Sequence, residues 1–273
     1  MFKSVLKSSF LVIILASAGL VYGDSRAQSI YKKILDKGIE KGKAIAMAGD
    51  EMDIGYKSQT SRMRMTLINA AGDKIVRIMD SKRLEGAAEG DKSLIRFVTP
   101  NDVKGTGLLT HEHKTSSDDQ WLFLPARKRV KRISSDNKSG SFMGSEFSYE
   151  DMGGREIEKY RYKYVGEEEY DGQPCFITER YPTDRASGYT KMVSWIRKDN
   201  FQPIKVDYYD RKREHLKTLL LKRYKKIGKF WRAHLMDMEN VQTGKRTTLQ
   251  FLNLRLGVGL KSSDFTRRAL ETR

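Results

Sequence analysis

The chain has 273 residues, sets 52 Lys and Arg against 35 Asp and Glu, and carries a formal net charge of +17. A single cysteine, Cys175, excludes an intramolecular disulfide, and a chain of this length can bury one large core or two ordinary ones. A balance this basic suits nucleic acid, an anionic membrane surface or an acidic partner. The basic residues are interleaved with acids and aromatics and form no separate tail.

The first residues read as an export signal, which argues against nucleic acid as a partner. Lys3 and Lys7 give a positive start, Phe10 to Leu15 begin an apolar run that reaches Val21, and Ala16, Ser17, Ala18 and Gly23 supply small residues. That order is the one a secretory signal requires. The run is short for a bilayer span, which takes about 20 residues; an uncleaved anchor helix is the competing reading. A signal peptide over 1–23, cleaved near residues 18–23, leaves one domain over 24–273. Cleavage removes two lysines and no acid, so the net charge becomes +15. No cysteine follows the signal, so no N-terminal lipid is expected, and no second long apolar run predicts a transmembrane helix.

From Ser25 to about Met47, Ile30, Ile34 and Leu35 share a face with Tyr31 beside them, and lysines lie opposite. This is the spacing of an amphipathic helix; Gly38, Gly42 and Gly49 weaken it and allow two short pieces. After Asp50 the period becomes two. Met63, Met65 and Leu67 alternate with Arg62, Arg64 and Thr66, a strand with one buried side. Ala71-Gly72-Asp73 turns the chain into a partner strand over Lys74 to Asp80. Further strands are predicted over 93–99, 107–113, 120–124 and 127–133. Asp136 to Gly144 reads as a loop and Ser145 to Met152 as a short helix ended by Gly153-Gly154. Strands resume over 161–168, 175–181, 189–197, 203–209, 216–224, 230–240 and 247–254, and Ser262 or Ser263 caps a last helical turn through Leu270. About a dozen strands joined by short turns pair antiparallel, and a sheet that long has to curl, split or close. One strongly curved antiparallel sheet of about 11–12 strands, with helices on its concave side, is the expected fold.

Catalytic chemistry finds little to stand on. His111-Glu112-His113 puts two imidazoles on one face of a strand, within reach of one metal ion, but two ligands are too few and His215 and His234 lie far along the chain; exposed strand histidines are the plainer reading, and no metal or cofactor is expected. Cys175 follows a hairpin turn at Asp171-Gly172 and reads as a half-buried strand residue, since a nucleophile needs a histidine base beside it. No nucleophile elbow, phosphate loop or dinucleotide fingerprint is present. The basic run Arg127, Arg129, Lys131 and Arg132 fits lipid phosphates or a partner surface; the alternative is an edge strand protected by charge.

Apolar residues suggest another occupation. Trp121 and Phe123 point one way and Leu122 and Leu124 the other, so both sides of that strand need cover. Phe142, Met143 and Phe147 sit in a Gly/Ser-rich stretch and have to be buried somewhere, as over the mouth of a cavity. The chain has 11 methionines, flexible and polarizable side chains suited to variable apolar ligands, although core filling explains any single one of them.

The wording from about Met63 to Phe265 resembles the outer-membrane lipoprotein-sorting protein family, within the broader group of lipoprotein carriers and receptors. The resemblance lies in Leu94-Ile95-Arg96-Phe97 before Pro100, Asp102-Val103-Lys104-Gly105-Thr106-Gly107-Leu108-Leu109, Asp119-Gln120-Trp121-Leu122-Phe123-Leu124-Pro125 and Arg129-Val130-Lys131-Arg132-Ile133. Above all it lies in Gly140-Ser141-Phe142-Met143-Gly144-Ser145-Glu146-Phe147-Ser148-Tyr149-Glu150-Asp151. It implies a mainly β unclosed barrel plugged by helices on its concave side, an apolar cavity for acyl chains, no catalytic residues, and a periplasmic companion of a lipid-exporting inner-membrane transporter. Length and strong positive charge depart from the best-known carriers of the group.

The expected function is a periplasmic carrier of lipid or acylated lipoprotein. Met63, Met65, Trp121, Phe123, Phe142, Met143, Phe147 and Trp195 are the candidates for cavity wall or lid, and Arg127, Arg129, Lys131 and Arg132 for headgroup or partner contact at an anionic membrane. Each acyl methylene withdrawn from water contributes about 0.8 kcal/mol, so a cavity shielding part of several chains can hold a lipid in an aqueous compartment. The alternatives are a periplasmic adaptor without cargo and, at a distance, a secreted hydrolase.

Overall fold

Alternation of apolar and polar residues along the sequence becomes thirteen strands: β1 (Ser58–Ile68), β2 (Lys74–Leu84), β3 (Lys92–Thr99), β4 (Gly107–His111), β5 (Asp119–Leu124), β6 (Arg129–Ile133), β7 (Tyr160–Tyr170), β8 (Gln173–Pro182), β9 (Lys191–Arg197), β10 (Pro203–Tyr209), β11 (His215–Ile227), β12 (Phe230–Asn240) and β13 (Arg246–Leu256). Among the described residues three α-helices accompany them: α1 (Ser25–Leu35), α2 (Lys41–Glu51) and α3 (Arg267–Glu271). The computed structural model describes residues 24–86 and 89–271; the expected signal peptide lies outside the described residues. The strands form one antiparallel sheet in the order β6-β5-β4-β3-β2-β1-β13-β12-β11-β10-β9-β8-β7. Tight turns set much of its register. Between β7 and β8, Asp171 and Gly172 both have positive φ (51° and 69°) and close a two-residue hairpin with Tyr170 opposite Gln173. Both φ angles are what a type I′ turn demands.

The two sheet edges, β6 and β7, are consecutive in sequence and do not pair. The sheet is therefore an unclosed barrel, and residues 134–159 must travel from one edge to the other. They do so across the inside. Gln120 on β5 donates to the Tyr149 carbonyl (2.9 Å), and Lys217 on β11 donates to the Asp151 carboxylate (2.6 Å). Seven steps in the strand order separate β5 from β11, which in a flat sheet is roughly 33 Å. Three extended residues span only about 10 Å, so the sheet has to curl around the crossing segment.

The inner face carries the main core: Met63, Met65, Met79, Phe97, Leu108, Met192, Val206, Tyr208, Leu219, Met238 and Leu249, all buried. Helices α1 and α2 cover the same face at the β7–β9 end, where Ala27, Tyr31, Ile34, Ile45 and Ala48 meet Phe176, Ile196 and Phe201. The Tyr31 ring lies 5.1 Å from that of Phe201 and 5.7 Å from that of Phe176. Gly42 is what lets α2 approach so closely, because a Cβ there would stand 2.6 Å from the Tyr164 backbone nitrogen. The helical stretch expected over Ser25 to Met47, with two short pieces allowed by its glycines, forms as the two helices α1 and α2.

The C-terminal turn Ser262–Phe265 and α3 pack on the opposite, outer face, where Phe265 and Leu270 are buried against Leu94 and Leu109, with Trp121, Phe123 and Val130 packed around them. Two local expectations are corrected. Ser145 to Met152 is not a helix; only a single 3-10 turn forms, at Glu150–Met152. Ser145 Oγ accepts from the Phe147 amide (3.3 Å) and Asp151 from the Ser148 amide (2.7 Å), so side chains take the donors a helix would use. Arg127 lies in a 3-10 turn, Pro125–Arg127, and not in the β6 strand.

Candidate functional site

The crossing segment is built to plug the concavity. Its ends turn on polar groups while two phenylalanines point inward. The Phe142 amide donates to the Phe147 carbonyl (2.7 Å) and the Ser145 amide to the Phe142 carbonyl (3.0 Å), closing a tight loop bridged at Ser141 and Ser148. Met143 and Gly144 take positive φ at its tip (53° and 77°). Phe142 is 0 % exposed and Phe147 3 %; both belong to the inner core with Met63, Met65 and Met79. The Phe142 ring sits 5.8 Å from Phe97 on one side and 5.8 Å from Tyr149 on the other. At the rim, Arg77 on β2 donates to the Met143 carbonyl (2.5 Å).

A buried polar latch holds the other end. Asp151 accepts from Lys217 (2.6 Å), from the Ser148 amide and hydroxyl (2.7 and 2.9 Å) and from the Tyr189 hydroxyl (2.8 Å). Lys217 also donates to the Glu146 carbonyl (2.8 Å). The pair is almost wholly removed from water, at 4 % and 6 % side-chain exposure. Burial by itself would raise the Asp151 carboxyl, but the Lys217 ammonium and the converging donors outweigh it and hold the carboxyl below its ordinary value. Beside it, Glu150 takes the Ser187 hydroxyl (2.5 Å) and the Gly188 amide (2.9 Å), and burial raises its carboxyl. Glu146 ties the segment to β12 and β13 through Asn240 (2.9 Å) and Thr247 (3.0 Å).

A second charge group, built on one buried carboxylate, stands beside Gly154 of the segment. Arg83 on β2 bridges Asp91 (2.8 Å) and Glu112 (2.9 Å), and Tyr56 donates to Asp91 (2.6 Å). Glu112 is 2 % exposed, and a Cβ on Gly154 would fall 2.4 Å from its carboxylate. Burial pushes Glu112 up to about 7 despite Arg83.

The eight residues expected to form a wall or lid fall into two sets. Met63, Met65, Phe142 and Phe147 meet in the inner core, with Met143 packed at its edge. Trp121 and Phe123 lie on the outer face under the C-terminal turn, and Trp195 also faces outward, beside Cys175 and Ile177. Arg127, Arg129, Lys131 and Arg132 occupy the β6 edge and its entering turn, all exposed; Arg132 pairs with Asp119. His111 and His113 do not converge: His111 bonds the Phe265 carbonyl (2.7 Å) and His113 bonds Asp119 (3.1 Å). Among the described residues no group of three or more His, Cys, Asp or Glu is placed to hold a metal ion. The Cys175 thiol is buried, which pushes it up to about 11 and keeps it protonated at neutral pH.

With this geometry, comparisons with known proteins become decisive. An outer membrane lipoprotein-sorting protein domain from Vibrio parahaemolyticus is 49% identical, covers 85% of this chain and 99% of its own, and superposes with a TM-score of 0.83. This chain belongs to the outer-membrane lipoprotein-sorting protein family. A DUF1329 family protein from Desulfovibrio piger is 32% identical over 90% of this chain and 100% of its own, with a TM-score of 0.79. A LolA superfamily protein from Nitrosomonas europaea, 20% identical over 90% of this chain and 100% of its own, shares the fold at a TM-score of 0.66. A family model described as "Uncharacterized protein" matches residues 89–272. No curated protein matches the chain.

In this member of the lipoprotein-sorting family the concave face is filled by the crossing segment. Two pockets with mixed polar and apolar walls lie away from that inner core. One, of about 800 Å³, lies at the ends of β7–β10; the other, of about 310 Å³, lies between Gln120, Tyr149 and Lys159. Neither is lined by Met63, Met65, Phe142 or Phe147. The latch residues Asp151, Lys217 and Tyr189 were not singled out by the sequence. A signal that could have found Lys217 is the oddity of a lysine alternating with Leu219 and Leu221 on a strand, a charge on the buried parity.

Proposed function

We propose that the protein is a periplasmic carrier that takes acyl chains of a lipid or acylated lipoprotein onto the inner face of its sheet while the segment Gly140 to Asp151 swings aside. The observation that carries the reading is the plug itself. A methionine-rich apolar face is covered by a short Gly/Ser-rich loop bearing two phenylalanines, and not by closure of the barrel. Phe142 and Phe147 then occupy, in the empty protein, the place that hydrocarbon takes in the loaded one. Such self-occupation keeps affinity moderate, because cargo competes with the plug, and release to an acceptor becomes favourable. Export through the N-terminal signal puts the protein in the periplasm, and an inner-membrane lipid transporter is the natural donor. The lipoprotein-sorting relative from Vibrio parahaemolyticus supports this class of function.

The test is direct. Protein purified from cells is extracted into organic solvent and the extract analysed by mass spectrometry, and the delipidated protein is titrated with a fluorescent fatty acid. Co-purifying lipid and displaceable probe binding are expected. Folded protein that shows neither is not a carrier. A second reading, an adaptor without cargo, is favoured by one feature: the plug's own phenylalanines occupy the inner core, and neither pocket reaches Met63, Met65, Phe142 or Phe147. The same titration separates the two.

A further inference from the structure

The larger pocket lies outside the concave face and has its own chemistry. It is a groove of about 800 Å³ at one end of β7–β10, between the loop that follows β8 and the turn between β10 and β11. Arg161, Arg185, Lys191, Arg211 and Arg213 line it, against a single acid, Asp184. That acid is already committed. Asp184 accepts from Lys138 (2.5 Å), Ser117 (2.8 Å) and the Ala186 amide (2.8 Å). Lys191 is answered by Glu179 at 3.0 Å. Among the described residues Arg211 donates to the backbone carbonyls of Arg185 and Ser187 (2.6 and 3.0 Å), which fixes its guanidinium without cancelling its charge. Arg161, Arg185 and Arg213 make no ion pair with a described residue and are exposed.

We propose that this groove binds a phosphate ester, the class of anion carried by phospholipid headgroups. Four guanidiniums converge from three separate segments on one concavity, and among the described residues none of them is paired with a carboxylate. A planar guanidinium presents a donor fork that fits phosphate oxygens in pairs. The groove is concave and of small-molecule size, which suits a headgroup better than the broad face of an acidic protein. Tyr181, Tyr189 and Tyr209 supply its walls, so an uncharged portion of the ligand has surface to lie against. Tyr189 has a second attachment. Its hydroxyl donates to Asp151, so the wall of the groove and the latch of the plug share a residue. The proposal does not depend on the inner face holding acyl chains.

The experiment is flotation of the protein with phosphatidylcholine vesicles, with and without phosphatidylglycerol, at low and high salt. Binding that requires phosphatidylglycerol and weakens with salt is expected. The groove variant Arg161→Gln/Arg185→Gln/Arg213→Gln removes only exposed side chains, and an unchanged melting curve verifies its fold. It should lose about tenfold or more in affinity for the anionic vesicles. The control Arg127→Gln/Arg129→Gln/Lys131→Gln removes the same charge from the β6 edge and should lose far less. Equal loss in the two variants overturns the proposal, because binding then follows net charge alone. Competition identifies the source of the phosphate. Displacement by glycerol phosphate but not by inorganic phosphate supports a headgroup; equal displacement by both supports free phosphate as the ligand. Displacement by polyglutamate in preference to both overturns the assignment in favour of an acidic polypeptide. Fatty-acid binding measured on the same groove variant should be unchanged, so a failed carrier reading and a failed groove are distinguishable.

Discussion

Lys217 and Asp151, 66 residues apart in sequence, form an ion pair at 2.6 Å in the middle of the inner core. The pair joins β11 to the segment that crosses the concavity, and it is more deeply buried than that segment's ion pairs at Lys138 and Lys159. Removing one partner leaves the other buried and unpaired, which costs far more than the pair contributes. Asp151→Asn is therefore expected to lower the unfolding free energy by about 3 kcal/mol or more. Replacing both, as Asp151→Leu with Lys217→Met, should recover a large part of that loss. Denaturant titration of the three proteins checks this; a double variant no more stable than the single one would show that the charges are not a local pair.

Phe142 is the largest side chain that the plug buries completely. Phe142→Ala should cost about 3–5 kcal/mol through lost burial and the cavity left behind. If the plug and cargo compete for the same face, the same variant should bind a fluorescent fatty acid more tightly than the wild type. Weaker binding by a folded Phe142→Ala protein would mean that Phe142 belongs to the ligand wall and does not displace cargo.

Trp121 and Phe123 offer the reciprocal test. They pack under Phe265 and Leu270 on the outer face, where His111 bonds the Phe265 carbonyl and Arg96 the Ala269 carbonyl (2.8 Å). Phe265→Ala should destabilise the protein by about 3 kcal/mol and raise hydrogen exchange in β3–β5, while fatty-acid affinity stays the same. A clear loss of affinity would place the acyl site on the outer face.

The buried Glu112 gives a signature in pH. Its carboxyl stands at about 7 in the folded protein, against an ordinary 4.5. Between those values the folded state holds a proton that the unfolded chain has released, so stability falls as pH rises through the window. The swing is on the order of 3 kcal/mol. Asp151 acts oppositely: its contribution is complete above the ordinary 3.8 and is lost as pH falls below it. Glu112→Gln should flatten the decline in stability between about pH 5 and pH 8, read as the denaturation midpoint. A variant whose profile runs parallel to the wild type's would show that the group titrates normally.

Gly42 tests how α2 is docked. A methyl group there meets the β7 backbone at 2.6–2.7 Å, where nothing can rotate away. Gly42→Ala raises helix propensity by about 1 kcal/mol, yet it should destabilise the protein by a net 1–3 kcal/mol, roughly the range for overpacking. A gain in melting temperature would mean that α2 sits further from the sheet.

Much of this molecule follows from the one-dimensional pattern. Period-two alternation marks out the strands, and Asp-Gly and Gly-Asp turns between them force neighbours to pair antiparallel; thirteen such strands cannot lie flat. The burial of Phe142 and Phe147 also follows, since two large apolar rings in a Gly/Ser stretch have to be covered. Only the tertiary structure decides which parity faces inward. A strand buried on both faces looks the same under a one-residue inversion, which is why Trp121, Phe123 and Trp195 stand outside while Met63 and Met65 stand inside. The tertiary structure also decides that β6 and β7 become the two edges, so that the chain between them must cross the hollow and bring Asp151 to Lys217. That contact depends on the curl of the whole sheet, and no local run of residues encodes it.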